Sequence, residues 1–426
     1  MKKKIVFWFP DRRIGGGPFY LLRMAVEIAK DDNYEVFYID YVDGYTHKID
    51  IDTSKITFID FKDYSGDTIF IENAILFAPV YMLHNMPCML MDTKVLFFNW
   101  HHECLPVLQA NMQFNDLELR HFMNLVYKND AQVFCDMAHW AENNKLSCCN
   151  FSKKYVPVHI NKKDSRAKIN IINENVVNIG ILGRLVTDKI YAVINIIECA
   201  KKIQKYSINI HIIGEGDQKN KLKPYENLPK VRLIYAGTVT GEDLDNYLCN
   251  EIDILFAMGI SALEGGALAL PSIIIPYSLK PYLLDKFIYL YDTSGYCVGW
   301  SISQIQNSPV KTVTFEDIIN DIYLFKKKHE IGMKCLKYTS EKHSVGNSVN
   351  NLKKYLDDTS LQFSDVYKVY RNQYYFNQRK HFDIRIKSYY KIFYFITILK
   401  TVHTDRYIKF YLFGFIPLLK IKYKRS

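Results

Sequence analysis

Asp253–Ile275 reads DILFAMGISALEGGALALPSIII and sets one acid, Glu264, inside a run of small and apolar residues. An ionised carboxylate buried alone costs several kcal/mol. Glu264 must therefore face water in a cleft, find a partner inside the fold, or hold a ligand. DILFAM reads as a buried strand, GIS as a short loop, ALEGGALAL as a helix and PSIII as the next strand. That order implies a parallel sheet, with Glu264 in the first helical turn at the carboxyl edge of the strands. The helix dipole favours an acid there, by less than about 1 kcal/mol. Gly265, Gly266 and Ala267 remove bulk beside it, as close approach of another molecule would require. A carboxylate so placed can accept both hydrogen bonds of a ribose diol.

Moving outward, VVNIGILGRL opens the same alternation at Val176 and INIHIIG, VRLIYAG and IDILFA continue it, with helical patterns between them. An earlier alternation starts with KIVFWFP, a glycine turn, the helical PFYLLRMAVEIAK and the strand YEVFYID. TIFIENAILFAP, KVLFFNW, QVFCD and YVPVHI are its further strands, and the lysine- and asparagine-rich Asn161–Asn175 separates the two halves. The expected class is α/β, with two Rossmann-like doubly wound domains facing across a cleft. Expected boundaries are 1–168, 169–357 with closing helices, and a basic aromatic tail over 358–426. In such sheets ligands bind beyond the carboxyl ends of the strands.

Several loops fall at that edge. In IGILGRLVTDKI, Gly183 gives a tight exit from the strand, and Arg184 and Lys189 supply a planar fork and a point charge. Together they suit a diphosphate, although two solvated cations on a polar loop account equally well for the pair taken alone. Gly214 in GEG is by itself only a turn signal, and Gly237 ends a third strand with Thr240 or Gly241 as a cap for the next helix. Gly15, Gly16 and Gly17 precede the first helix, where backbone amides form an anion site; GxGxxG spacing is missing, so this is not a nicotinamide fingerprint. FFNWHHECLP brings His101, His102 and Glu103 to a strand end, and FCDMAH brings Asp136 and His139. Neighbours on an extended chain point to opposite faces, which argues against a metal at the first of these. Structural packing is the plainer account of both groups.

The combination over Val176–Pro276 resembles the nucleotide-sugar domain of GT-B glycosyltransferases, particularly the large retaining group often called family 4. Its loops are matched by GRLVTDK, GEG, AGTVTGEDL and EGGALALPSI. The resemblance implies that Arg184 and Lys189 hold the donor diphosphate, Glu264 the ribose hydroxyls, and backbone near Val239 the base. Gly15–Gly17 would approach the donor phosphates, and His102 is the expected catalytic histidine near the sugar or acceptor. It further implies retention and a transfer needing no metal or cofactor. Family members carry a second acid eight positions before the helical one, and Phe256 stands there. The sugar would instead meet backbone N–H groups from Gly259 to Ser261.

The formal charge of +10 belongs to the tail: Asp365–Ser426 holds 14 Lys and Arg against three Asp, leaving the remainder near neutral. Its interleaving of basic with Tyr, Phe, Ile and Leu residues suits an anionic lipid surface better than nucleic acid. A subdomain packing those aromatics on the core is the alternative. Nine scattered cysteines without a CxxC pair fit a reducing cytosol. The apolar run Ile5–Phe9 is too short for an export signal. The expectation is a bacterial enzyme on the cytoplasmic side of the membrane, attached peripherally. It would move a sugar from a nucleoside diphosphate donor to a saccharide or lipid-linked acceptor in lipopolysaccharide or related envelope polysaccharide synthesis. A non-catalytic nucleotide-sugar-binding assembly subunit and a GT-B nucleotide-sugar epimerase are the alternatives.

Overall fold

The computed structural model describes residues 2–13, 15–63, 67–101, 103–307 and 310–369, and within the C-terminal segment the strands 387–392, 396–403, 407–412 and 416–422. The first apolar run forms strand β1 (Lys3–Trp8), and Ile5–Trp8 are wholly buried. Alternate residues serve opposite cores: Val6 and Trp8 join Leu76 and Phe97 on one face, Ile5 and Phe7 join Phe77 and Phe98 on the other. A strand covered on both faces is what the centre of a parallel sheet requires. The first sheet is completed by β2 (Tyr34–Asp40), β3 (Ile56–Asp60), β4 (Ala74–Pro79), β5 (Lys94–Asn99) and β6 (Gln132–Phe134). Its order is β3-β2-β1-β4-β5-β6, all parallel.

The second sheet repeats that order. Its strands β7 (Val176–Leu182), β8 (Ser207–Ile213), β9 (Val231–Gly237), β10 (Ile254–Ala257), β11 (Ser272–Ile274) and β12 (Ile288–Tyr289) run β9-β8-β7-β10-β11-β12. Only the last pairing is antiparallel among these. In both sheets the strand order reverses beside the first strand, at β1/β4 and at β7/β10, and the crevice beyond such a reversal is where doubly wound sheets bind ligands. Connecting helices cover the faces: α1 (Gly16–Ala29) after β1, α2 (Cys104–Met112) and α3 (Asp116–Lys128) before β6, and α4 (Met137–Ser147) after it. In the second half α5 (Ile190–Ala200) follows β7, α6 (Gly241–Glu251) precedes β10 and α7 (Ile260–Ala267) follows it. Helices α8 (Lys328–Lys342) and α9 (Val345–Tyr355) close the fold.

The chain then returns to the first sheet. Val349, Leu352 and Leu356 pack in the core that holds α1. Leu361, Phe363 and Val366 are wholly buried on the opposite face, and Val95 N–H donates to the Leu361 carbonyl at 2.8 Å. In the segment 358–369, expected to begin the tail, Thr359, Leu361, Phe363 and Val366 are thus buried against the first sheet. Beyond them the strands 387–392, 396–403, 407–412 and 416–422 pair in that order, each neighbouring pair antiparallel. YVPVHI is not a regular strand: Tyr155 and Ile160 make isolated bridges, to Phe134 and to Ser344, as the chain crosses between sheets. Other ties between the halves are Met137 N–H to the Gly295 carbonyl and Ile160 N–H to the His343 carbonyl, each 2.9 Å. No helix among the described residues is long and apolar enough to cross a membrane.

Candidate functional site

Three glycines finish adjacent strands of the second sheet and stitch them together. Gly183 N–H donates to the Ile213 carbonyl at 3.0 Å, and Gly214 N–H to the Gly237 carbonyl at 2.7 Å. Gly214 has φ +137°, and a Cβ there would lie 2.2 Å from the Gly183 oxygen. Packing between strand ends therefore accounts for Gly214. Past Gly183, Arg184 is exposed, while Lys189 is half-buried at the start of α5. Burial pushes the Lys189 ammonium below its ordinary pKa, with Asp188 opposing the shift and Arg184 adding to it. Neither cation forms an ion pair among the described residues. Val239 lies half-buried two residues beyond β9.

Glu264 lies one turn deeper than the sequence implies. Helix α7 begins at Ile260, so Glu264 is its fifth residue and the first turn holds no acid. Its dipole stabilisation is correspondingly smaller, since that effect fades beyond the first turn. Glu264 has an internal partner: Lys163 Nζ, from the segment joining the sheets, binds Glu264 Oε2 and Asp245 Oδ1 of α6 together. Burial works against the Lys163 charge, but the two carboxylates more than offset it and hold its pKa above the ordinary lysine value. Glu264 also acts on Arg23 of α1 in the other half, whose pKa burial lowers. The sequence reading missed Lys163, Asp245 and Arg23, because nothing in the local pattern links a polar connecting segment to two distant helices.

The neighbouring glycines have a different origin from the one expected. A Cβ on Gly265 would meet Leu255 Cδ2 at 2.4 Å, and one on Gly266 would meet Thr339 Oγ1 at 2.3 Å. They let α7 sit against β10 and α8, rather than admit a ligand. Gly259 has φ +61°, which favours glycine, but its N–H already donates to the Val298 carbonyl at 2.7 Å and is spoken for. Ser261 is half-buried in the first turn of α7. Phe256 is buried between Phe287 and Phe315, with ring centroids 5.4 and 5.7 Å away, so an apolar core fills the position of the second acid.

Across the cleft, Gly15 caps α1, and Gly16 and Gly17 lie inside its first turn rather than ahead of it. Gly16 faces Ile260 at the start of α7, whereas Gly17 is packed under Trp100 and Phe9. His102 lies outside the described residues. Its neighbour His101 reaches towards the diphosphate-type loop: burial and then His139 lower its pKa, and Asp188 and Lys189 are close enough to act on it. His101 Nδ1 accepts the Glu103 amide at 3.2 Å. Asp136 caps α4, and His139 Nδ1 lies 2.6 Å from Asp136 Oδ1 and 3.2 Å from Cys135 Sγ. Burial opposes charge on His139, but Asp136 raises its pKa overall. Cys135, Asp136 and His139 form a ligand-type cluster, yet 2.6 Å is a hydrogen-bond length, shorter than the roughly 3.3 Å between two ligands of a tetrahedral zinc.

Among solved structures, an apo lipopolysaccharide outer core galactosyltransferase, WaaB, matches 83% of this chain and 99% of its own at 12% identity, with a TM-score of 0.51. A glycosyltransferase from Rickettsia africae matches 84% and 98% at 12% identity, with a TM-score of 0.50. The fold is GT-B. No protein-family model and no curated protein matches the sequence. At this identity the likeness establishes how the GT-B halves are built and joined, and the chemistry has to be argued from the residues of this chain.

Proposed function

We propose that the chain is a glycosyltransferase that moves a sugar from a nucleoside diphosphate donor to a saccharide or lipid-linked acceptor in cell-surface polysaccharide synthesis. The observation that supports the reading is topological: Arg184 and Lys189 follow β7 and Glu264 follows β10, the two strands at the order reversal of the second sheet, and Gly16 of α1 faces Ile260 at the start of α7. Both GT-B neighbours are glycosyltransferases, one of them acting on lipopolysaccharide outer core. In this reading Arg184 and Lys189 hold the donor diphosphate. They stabilise it as the bond from the sugar carbon to the phosphate oxygen breaks, where negative charge develops. A diphosphate beside Lys189 would also offset the burial that lowers its pKa. Glu264 accepts from the ribose hydroxyls, the base lies near Val239, and His102 serves as the histidine near the sugar or acceptor. Retention follows if the acceptor hydroxyl attacks from the leaving side and passes its proton to the departing phosphate. Attachment of the basic tail to the cytoplasmic face of an anionic membrane would bring a lipid-linked acceptor to the cleft.

A second reading, a nucleotide-sugar-binding subunit without turnover, is favoured by the burial of Phe256 where an acid near the sugar is expected. Thermal unfolding with UDP-, GDP-, ADP- and CDP-sugars, followed by an assay for nucleoside diphosphate release with envelope saccharides, separates the two. A ligand at 100 times its Kd adds about 2.7 kcal/mol to stability. Stabilisation by a sugar nucleotide in the parent but not in Arg184→Ala supports the donor site. Binding without transfer supports the subunit, and no stabilisation by any of them removes both readings.

A further inference from the structure

Glu264 does not stand alone at the edge of the cleft, and the group that holds it lies outside both sheets. Lys163 belongs to the polar segment between them, and its ammonium binds Glu264 Oε2 and Asp245 Oδ1 at once. All three side chains are largely buried, with exposures of 13% for Lys163, 20% for Glu264 and 16% for Asp245. Removing the cation would leave two carboxylates from adjacent helices sharing a partly desolvated site. Like charges so placed repel, and one of them would swing away or take up a proton. The other charged groups around this site are Arg23 on α1, which acts on Glu264, and Arg166 on the joining segment, which acts with Lys163 on Cys249 of α6. Neither Arg23 nor Arg166 forms an ion pair with Glu264 or Asp245 among the described residues, so neither replaces Lys163.

Resting on the donor site proposed above, we infer that Lys163 is the positioning residue for Glu264. It fixes one carboxylate oxygen, so that Oε1 and the remaining lone pair of Oε2 are presented to the ribose diol. It also cancels one of the two negative charges of Asp245 and Glu264, which lessens their repulsion of an anionic donor. Lys163 does this from the joining segment, so donor binding and the link between the two halves share one side chain. A cavity of about 230 Å³, lined by Ile160, Lys163, Ala267 and Leu336, opens beside it. Without its carboxylate partners the lysine has room to turn away, so the ion pairs rather than packing define its position.

The test compares UDP, GDP, ADP and CDP with their 2′,3′-dideoxy forms, by calorimetric titration of the whole chain. Lys163→Met is expected to weaken the tightest of these nucleotides about tenfold, with most of the loss absent for the dideoxy form. Lys163→Arg keeps the charge and is expected to restore most of the affinity. The pair Lys163→Met/Glu264→Gln should bind no more weakly than Glu264→Gln alone, because both changes remove the same interaction. Should Lys163→Met fail to fold, Lys163→Gln, one atom shorter than lysine, removes the charge but keeps two hydrogen-bond donors, and the same comparison applies. Equal losses for the ribo and dideoxy forms, or losses that multiply in the double variant, would give Lys163 a purely structural role and overturn the inference alone. If Glu264→Gln itself does not discriminate the two forms, the inference and the proposed donor geometry fall together.

Discussion

Gly16 of α1 and Ile260 of α7 meet across the cleft: a Cβ on Gly16 would lie 3.2 Å from Ile260 Cδ1. Two residues from different sheets are thus in contact at the N-termini of the two helices that border the crevice. Gly17, one residue on, is crowded from within its own half, by Trp100 Cη2 at 2.2 Å and Phe9 Cε1 at 2.7 Å.

The two adjacent glycines should therefore answer differently to alanine. Gly16→Ala needs a shift of a few tenths of an ångström at Ile260 and gains helix propensity of up to about 1 kcal/mol. Thermal unfolding should be unchanged or slightly improved, while the altered approach of α1 to α7 weakens sugar-nucleotide binding severalfold. Gly17→Ala forces two aromatic rings aside, and such overpacking costs about 1–3 kcal/mol. Denaturant unfolding should show that loss. The reverse pattern would mean that Gly16 is a packing position and not part of the cleft.

The packing of Leu361 and Phe363 under the first sheet fixes where the C-terminal segment can be cut. A chain ending at 369 should keep the unfolding midpoint of the GT-B body. A chain ending at 357 loses both side chains and the Leu361–Val95 backbone bond, and each large apolar residue contributes about 1.5–3 kcal/mol by burial. Paired melts of the two truncations decide it, and equal stabilities would show that residues 358–369 are dispensable.

Much of the fold was legible because each strand carries its own pattern. Ile5–Phe9 is an apolar run that ends at Pro10, Ile208–Ile213 alternates isoleucine with Asn209 and His211 before Gly214, and the helix after β1 has its apolar positions in helical register. Arg184 and Lys189 follow the end of β7 as their local signal, a glycine exit and two cations, implies. Glu264 was only half legible. The sequence poses the cost of its charge but not the answer, since Lys163 lies about a hundred positions away in a segment with no periodicity. Gly265 and Gly266 misled for a related reason: helix-to-strand packing and ligand approach both select glycine, and only the neighbours at Leu255 and Thr339 tell them apart.

Asp253 was read as the start of a strand and proves to anchor a buried network. Lys328 Nζ lies 2.6 Å from Asp253 Oδ1, Tyr323 Oη donates to Oδ2 at 2.6 Å, and Ile172 N–H donates to Oδ1 at 3.0 Å. Both members of the ion pair are buried. Lys328→Met removes the cation and leaves the carboxylate desolvated, a change that costs about 3–5 kcal/mol. Lys328→Met/Asp253→Asn should recover part of that loss, because the amide needs no counter-ion. Urea titrations of the three chains measure it; a single variant as stable as the parent would mean that the pair is not truly dry.

Two histidines at the join between the halves set the response to acid. His159 is fully buried and stacked on Tyr20 at 4.5 Å. Burial, with Arg23 and His343 adding to it, lowers its pKa to about 3. His343, whose Nδ1 is 2.6 Å from the Val158 carbonyl, is lowered by burial to about 4. Both rings are neutral in the fold, while in the unfolded chain they protonate near the ordinary value of about 6.5. The unfolded state therefore binds more protons below that pH. Stability is complete above about 6.5 and falls with acid until the folded-state values are reached, by about 1.4 kcal/mol per pH unit for each ring. His139, raised by Asp136, works in the opposite sense: its contribution is complete below about 6.5 and is lost as the pH rises above that, so it leaves the slope in acid unchanged. His159→Phe keeps the stacked shape and removes one titrating ring, so its urea midpoint should match or exceed the parent's at pH 7.5 and fall less steeply between pH 6.5 and 4.5. Parallel curves over that interval would show that His159 is not held neutral at the join between the sheets.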